Sequence, residues 1–202
     1  MAAAHMTRRF PRIHREALTA EQAEVYEHIA GGERAKGPRL FELTDAEGHL
    51  NGPFEPMLLA PQLGDALQAL GAAVRYRTTL SDRIREMAIL AVATWWDSDF
   101  ERYAHEAVGR AAGLTDEEVS YLREAGGGRP TDPMETTALD VVWTLLRERD
   151  LSDEAFAKAT ENLTEAQLFE LTTLVGYYAT LALVMRVFRA DGRPAPPSDA
   201  EM

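Results

Sequence analysis

Helix start and stop signals recur along this chain, and they constrain its fold more than any other feature of the sequence. Thr19, Thr115 and Thr164 are each followed three residues later by Gln or Glu. In such a capping box the two side chains satisfy backbone N–H groups that the first turn of a helix leaves unpaired. No stretch alternates apolar and polar residues as a strand does, so we predict an all-α helical bundle of about eight helices. Their predicted starts are near Thr19, Pro61, Ser81, Ser98, Thr115, Asp132, Ser152 and Thr164.

A long irregular segment, residues 33–60, separates the first two predicted helices. Turn-forming residues such as the Asn51-Gly52-Pro53 run punctuate it. Loops of this length are usually functional or disordered. We expect this one to pack against the domain, because it carries several apolar residues: Leu40, Phe41, Leu50, Phe54 and Met57.

The chain is expected to form one domain over residues 6–190, which is long enough to bury a core. Residues 1–5 precede a second methionine, and we interpret them as a remnant of an expression vector. Residues 191–202 include Pro194, Pro196 and Pro197, and they are predicted to be a disordered tail.

Charge and cysteine content exclude several classes of function. The formal net charge is −12, so neither nucleic acid nor an anionic membrane surface is an expected partner. Cysteine is absent, which removes disulfides, thiolate ligands and thiol nucleophiles. No run approaches ~18 apolar residues and no signal-peptide pattern is visible. We therefore predict no membrane span and a cytoplasmic protein.

Four chemically active side chains stand in the otherwise apolar segment from Glu86 to Gly113. Ser98, Glu101 and His105 are separated by three and four residues, so on one helix they share a face. Glu86 interrupts an apolar run on the preceding predicted helix. Burying carboxylates and an imidazole is costly unless they are paired or used. We therefore predict that Glu86, Glu101 and His105 line one cavity, with Glu86 within hydrogen-bond reach of His105.

Spacing alone leaves other interpretations open. Glu101 and His105 could be an exposed ion pair worth a few tenths of a kcal/mol. A di-metal bundle site needs Glu-x-x-His twice, whereas Glu-x-x-x-His occurs here once, so no metal is predicted. Ser98 and His105 lie ~10 Å apart along a helix axis, which argues against activation of the hydroxyl. General acid–base work by Glu and His fits better.

The segment 80–125 resembles the carboxymuconolactone decarboxylase family, which includes the AhpD-like alkylhydroperoxidases. The peroxidase branch has a motif of Glu, an eleven-residue gap, Cys-x-x-Cys, three more residues and His. On this chain the four motif positions fall on Glu86, Ser98, Glu101 and His105. The resemblance spans about residues 40–190 and implies the AhpD-like helical fold and a homotrimer or hexamer. Other similar phrases are Asn51-Gly-Pro-Phe54, Arg85-Glu86-Met-Ala-Ile-Leu90, Tyr103-Ala-His105-Glu106 and Glu170-Leu-x-x-Leu-Val-Gly-Tyr-Tyr178.

Both motif cysteines are missing here, so dithiol peroxidase and disulfide reductase chemistry cannot run. The chain is similar to the cysteine-free branch, which includes the lactone decarboxylases. This resemblance implies acid–base roles for Glu101 and His105, with Glu86 orienting the imidazole or holding a proton. It implies a cofactor-free lyase or isomerase acting on a small organic acid or lactone.

Four further residues are candidates for substrate binding. Ser98 lies in the motif, His49 could close over a pocket, Tyr177 could bring a phenol to the cavity, and Arg85 could hold a substrate carboxylate. The alternative function is a catalytically silent protein that binds a small ligand or serves as an assembly module. Burial of Glu86 and His105 in one pocket favours the enzyme.

Overall fold

The computed structural model describes residues 8–36, 40–124 and 128–190. Over these ranges the regular structure is helical, and the only β-type pairing is an isolated antiparallel bridge between Thr44 and Leu50. This confirms the all-α prediction. The α-helices are α1 (Ala20–Ala30), α2 (Phe54–Met57), α3 (Pro61–Tyr76), α4 (Asp82–Trp95), α5 (Asp99–Ala111), α6 (Asp116–Glu124), α7 (Pro133–Glu148), α8 (Asp153–Ala159) and α9 (Glu165–Phe188); single 3₁₀ turns occupy Arg15–Ala17 and Glu33–Ala35.

The predicted capping boxes form. Thr19 and Thr164 each accept a hydrogen bond from the backbone N–H three residues later, and the glutamine there accepts one in return. The Thr115 hydroxyl accepts the Glu118 N–H at 3.2 Å, and the Glu118 carboxylate accepts the Thr115 N–H at 2.9 Å. These reciprocal bonds explain why the starts of three helices could be located from sequence.

One α-helix of the described residues was not predicted. Helix α2 is a single turn inside the segment expected to be irregular, and it follows Pro53. Four residues are too few to show a helical period, so the pattern could not reveal it. The same segment packs down as predicted, with Leu50, Phe54 and Met57 all buried.

Helix α4 lies at the centre of the fold and packs against α5, α7 and α9. Every residue from Met87 to Ala93 is buried, as expected of a helix that is apolar around its whole circumference. Glu86 is the one charged residue among the buried residues of α4. The fold therefore places a carboxylate in its central layer.

Helix α9 is the one helix of the described residues that is long and apolar enough to cross a membrane, by length and composition only, and the expectation of no membrane span stays a prediction. It has 24 residues, and its most apolar window has a mean hydropathy of 1.5, which is sufficient by length and composition. The search for an unbroken run of apolar residues missed α9 because Thr, Gly and Tyr interrupt its aliphatic residues. Half of that window (50%) is buried against the rest of the protein, as in the core helix of a soluble protein.

The predicted vector remnant (residues 1–5) and the predicted tail (191–202) lie outside the described residues. A single domain over residues 6–190 stays a prediction.

Candidate active site

Three buried ionisable side chains, here called the triad, connect α4 to α5. Glu86 Oε2 lies 2.6 Å from His105 Nδ1, and His105 Nε2 lies 3.3 Å from Glu101 Oε2. Glu86 and Glu101 are each 2% exposed and His105 is 3% exposed. The predicted contact between Glu86 and His105 is confirmed, and the interpretation as an exposed ion pair is wrong.

The turn between α4 and α5 aligns the triad. Asp97 adopts a left-handed conformation with φ of 52°, which Asp tolerates better than most residues. The Ser98 hydroxyl then accepts the Glu101 N–H at 3.5 Å and caps α5. Glu101 and His105 lie one helical turn apart, so their side chains share one face of α5. This face is the one that meets Glu86 of α4.

In the triad, charge interactions together change the pKa values of His105 and Glu86 more than burial does. Burial alone lowers the pKa of His105, but the carboxylates of Glu86 and Glu101 raise it above its ordinary value of 6.5. Burial alone raises the pKa of Glu86, but the charge and hydrogen bond of His105 lower it below its ordinary value of 4.5. The raised pKa of His105 favours an imidazolium and the lowered pKa of Glu86 favours a carboxylate, and in this charged pair both ring N–H groups are directed at carboxylates.

Two buried polar atoms beside the triad have no hydrogen-bond partner in the part of the chain that the structure describes: Oε1 of Glu101 and Nε of Arg75. Buried polar groups nearly always have a partner, and leaving one unpaired costs about 1–3 kcal/mol. Burial lowers the pKa of Arg75, but nearby charges, including Glu86 and Glu101, raise it to a net value above the ordinary one. Arg75 therefore stays charged, and both atoms can bind a substrate.

Two cavities share a wall formed by Arg34, Phe41 and Arg75. The inner chamber has a volume of about 20 Å³, enough for about one water molecule, and its lining includes Glu101 and His105. The outer cavity has a volume of about 670 Å³, within the usual range of small-molecule sites. Glu86 belongs to its lining, so the triad borders both spaces.

These cavities concentrate positive charge in an acidic protein. Arg34 and Arg75 line both, and Arg85 lines the outer one. Arg85 is paired with Asp82. Arg34 donates to the neutral side-chain and backbone oxygens of Gln68, at 3.2 and 2.9 Å. Among the described residues, Arg34 and Arg75 form no ion pair, so both can attract an anionic ligand.

The remaining sequence candidates occupy different places. Tyr177 lines the inner chamber, and Arg85 lines the outer cavity. Ser98 is not among the lining residues of either cavity, because its hydroxyl faces the first turn of α5. A role of Ser98 in substrate binding stays a prediction.

His49 lies in a separate cluster. Its Nδ1 is 3.0 Å from Asp45 Oδ2 and its Nε2 is 3.1 Å from His14 Nδ1. It lines neither of the two cavities, and its role in closing a pocket stays a prediction. His14, Glu47 and His49 offer ligand atoms within 4.8 Å of one another. In the described part of the chain this cluster is the one whose donors are close enough to share a metal ion, although His14 and Glu47 are exposed.

Sequence reasoning missed Arg75, Arg34 and Phe41. A signal for Arg75 does exist, because it follows Gly71 by four positions, and Gly71 lies on the buried face of α3. Arg77 lies on the exposed side. Arg34 and Phe41 lie in the irregular segment, where no helical or strand period indicates which side chains face the interior.

Residues 61–142, from α3 into α7, match the carboxymuconolactone decarboxylase family. No curated protein sequence matches this chain. The match confirms the resemblance seen in the sequence over these residues, and the chain contains no cysteine.

Several solved structures share the fold. A peroxidase-related protein from Ralstonia eutropha JMP134 with an alkylhydroperoxidase AhpD core has a TM-score of 0.74 at 15% identity, covering 95% of this chain and 94% of that one. A protein of unknown function from Agrobacterium tumefaciens, proposed to be the antioxidant defence protein AhpD, has 0.59 at 17%, covering 68% and 94%. A variant of the debrominase Bmp8 in complex with 2,3,4-tribromopyrrole has 0.69 at 11%, covering 92% and 91%. These similarities establish the AhpD-like helical fold.

Proposed function

We propose that this protein is a cofactor-free acid–base enzyme that acts on a small organic acid or lactone, with Glu101 as the base. The observation that carries the proposal is the buried triad, which ends at a Glu101 oxygen without a hydrogen-bond partner among the described residues. Isomerisation and ring opening can begin with proton removal by such a base, and decarboxylation ends with protonation of carbon by its conjugate acid.

The three residues of the triad have different roles. The imidazolium of His105 has no free lone pair, because both nitrogens carry protons directed at carboxylates. Glu101 instead contacts His105 through Oε2 and keeps Oε1 for the inner chamber. His105 therefore holds Glu101 in position, and Glu86 keeps His105 charged. Once protonated, Glu101 can return the proton to another atom of the substrate.

The family and fold support enzyme activity in general terms. The matching family takes its name from a decarboxylase, and the debrominase with the same fold binds a small ring compound. The outer cavity of about 670 Å³ has room for a molecule of that kind. Because the chain contains no cysteine, the carboxylates and imidazole are the groups that remain for such chemistry.

A catalytically silent protein that binds a small ligand or serves for assembly is the competing function. It explains the pairing of Glu86 with His105 as a purely structural contact. It does not explain why Glu101 Oε1 is buried beside the same cavity without a described partner, since an apolar residue would avoid that cost. The unpaired oxygen favours the enzyme.

Deuterium uptake in heavy water tests the proposal and does not require the product to be identified. A panel of small cyclic ketones and lactones, with and without a carboxylate, is incubated with wild-type protein, Glu101→Gln and the exposed control Glu161→Gln, and proton NMR follows loss of the C–H signals. We expect wild-type exchange above the buffer rate, unchanged exchange in Glu161→Gln, and a loss of about 10²- to 10⁴-fold in Glu101→Gln. Equal rates in Glu101→Gln would contradict the base assignment, and no exchange by wild type would favour the silent protein.

A further inference from the structure

We infer that Arg75 binds a carboxylate of the substrate and retains it, so that the enzyme moves a proton on a carboxylated ketone or lactone without releasing carbon dioxide. This inference rests on the proposed role of Glu101 and specifies the substrate class and the reaction. It selects isomerisation over the loss of the bound carboxylate.

Position is the first argument. Arg75 lines both cavities, so a group bound to it lies where the outer cavity adjoins the inner chamber of Glu101. Its Nε has no hydrogen-bond partner, and its guanidinium forms no ion pair, over the described ranges. A planar guanidinium presents parallel N–H donors that match the two oxygens of a carboxylate. A ring held there by its carboxylate can present a C–H bond to Glu101.

Charge is the second argument. Arg34 and Arg75 both line the inner chamber, and His105 adds a third positive charge against the carboxylates of Glu86 and Glu101. These five groups leave one positive charge unbalanced, and a single substrate carboxylate neutralises it. The excess lies in a protein with a net charge of −12, so it is a local feature of these cavities.

The chemistry follows from what the guanidinium stabilises. Loss of carbon dioxide moves the negative charge from the carboxylate to carbon, and a bound arginine stabilises the starting carboxylate more than that transition state. One charge-assisted hydrogen bond is strong enough to slow the loss by roughly 10- to 100-fold.

Proton abstraction beside a ketone or lactone carbonyl does not move that charge. The C–H bond breaks, its electron pair forms a carbon–carbon double bond and leaves negative charge on the carbonyl oxygen, and the proton bonds to Glu101 Oε1. Return of the proton to carbon restores Glu101 and gives either the substrate or its isomer. The carboxylate stays on Arg75 throughout.

The test compares an acid with its ester. The probes are 2-oxocyclopentane-1-carboxylate, a β-keto acid that is able to lose carbon dioxide, labelled with carbon-13 in the carboxylate, and its methyl ester. Calorimetry measures the binding of each to wild-type protein, Arg75→Met, Arg75→Lys and the control Arg77→Met. Arg77 is a matched control because it lies two residues away, is 70% exposed in its side chain and does not line either cavity. Circular dichroism verifies folding, and Arg75→Lys serves if Arg75→Met does not fold.

We expect wild-type protein and Arg77→Met to bind the acid at least about tenfold more tightly than the ester. Arg75→Met should lose this preference, and Arg75→Lys should keep part of it because it keeps the charge without the planar fork. Deuterium should enter the ring carbons while the carbon-13 label stays in the acid.

Three outcomes would overturn the inference: no preference for the acid in wild type, including no binding of either probe; a preference that survives in Arg75→Met; or release of labelled carbon dioxide faster than in buffer alone. Loss of the preference in Arg75→Met with normal exchange in Glu101→Gln would support the role of Arg75 while contradicting the role of Glu101.

Discussion

Replacement of Glu86 by Gln should destabilise the protein by an amount that depends on pH. The amide keeps the shape of the side chain and one hydrogen bond to His105, but it removes the charge that faces the imidazolium at 2.6 Å. Removing one partner of a buried ion pair costs about 3–5 kcal/mol, and the retained hydrogen bond restores about 1 kcal/mol or more. We therefore expect a loss of about 2 kcal/mol, or about 4–8 °C in Tm for a domain of this size.

The pH range in which Glu86→Gln destabilises the protein most follows from the directions of the two pKa shifts. The pKa of His105 is raised from 6.5, so its contribution is complete below pH 6.5 and is lost as the pH rises through the folded value. The pKa of Glu86 is lowered from 4.5, so its contribution is present above pH 4.5 and is lost as the pH falls through the folded value. The difference between wild type and Glu86→Gln should thus be largest between pH 4.5 and 6.5.

Urea unfolding followed by tryptophan fluorescence at several pH values measures this difference. Glu161→Gln removes an exposed carboxylate and should change stability by less than about 0.5 kcal/mol at every pH. A destabilisation by Glu86→Gln that is the same from pH 5 to pH 9 would refute the reasoning, because it would show that the imidazole in contact with Glu86 does not change its charge.

Three other predictions concern the chamber, the chemistry and the assembly. Gly71→Ala would place a Cβ 2.0 Å from the Tyr177 phenol oxygen and 2.6 Å from the Arg34 Nη2, so urea unfolding should show a loss of about 1–3 kcal/mol; unchanged stability would contradict the packing described. No turnover of cumene hydroperoxide is expected with any thiol-recycling system, because no residue can form a sulfenate, and coupled spectrophotometry would detect robust turnover. Leu63 and Phe169 are 70% and 73% exposed, so we propose a homotrimer or hexamer; light scattering that gives the mass of one chain at micromolar concentration would contradict it.

The triad could be predicted from sequence because its information is local. Glu101 and His105 are four residues apart, and Glu86 is a carboxylate in an apolar helix that needs a polar partner. These two facts specify the contact once both helices pack together. The same reasoning located most helix starts, since capping acts within one turn.

Arg75 and His49 show where this reasoning ends. Arg75 matters because its Nε has no hydrogen-bond partner among the residues that the structure describes, and that absence depends on the whole tertiary structure rather than on neighbouring residues. His49 stands four residues after Asp45 and binds His14, which is 35 residues away in sequence. The loop that carries His49 has no helical period, so the direction of the His49 side chain could not be predicted from the sequence pattern.

Deuterium uptake by wild type and Glu101→Gln is the most direct test of the central claim, that the triad presents Glu101 as a base. On 2-oxocyclopentane-1-carboxylate the account predicts exchange by wild type above the buffer rate and a loss of about 10²-fold or more in a folded Glu101→Gln variant. It also predicts that His105→Gln, which leaves Glu101 in place without its imidazolium, retains folding and loses exchange. Exchange in folded Glu101→Gln at the wild-type rate would contradict the account.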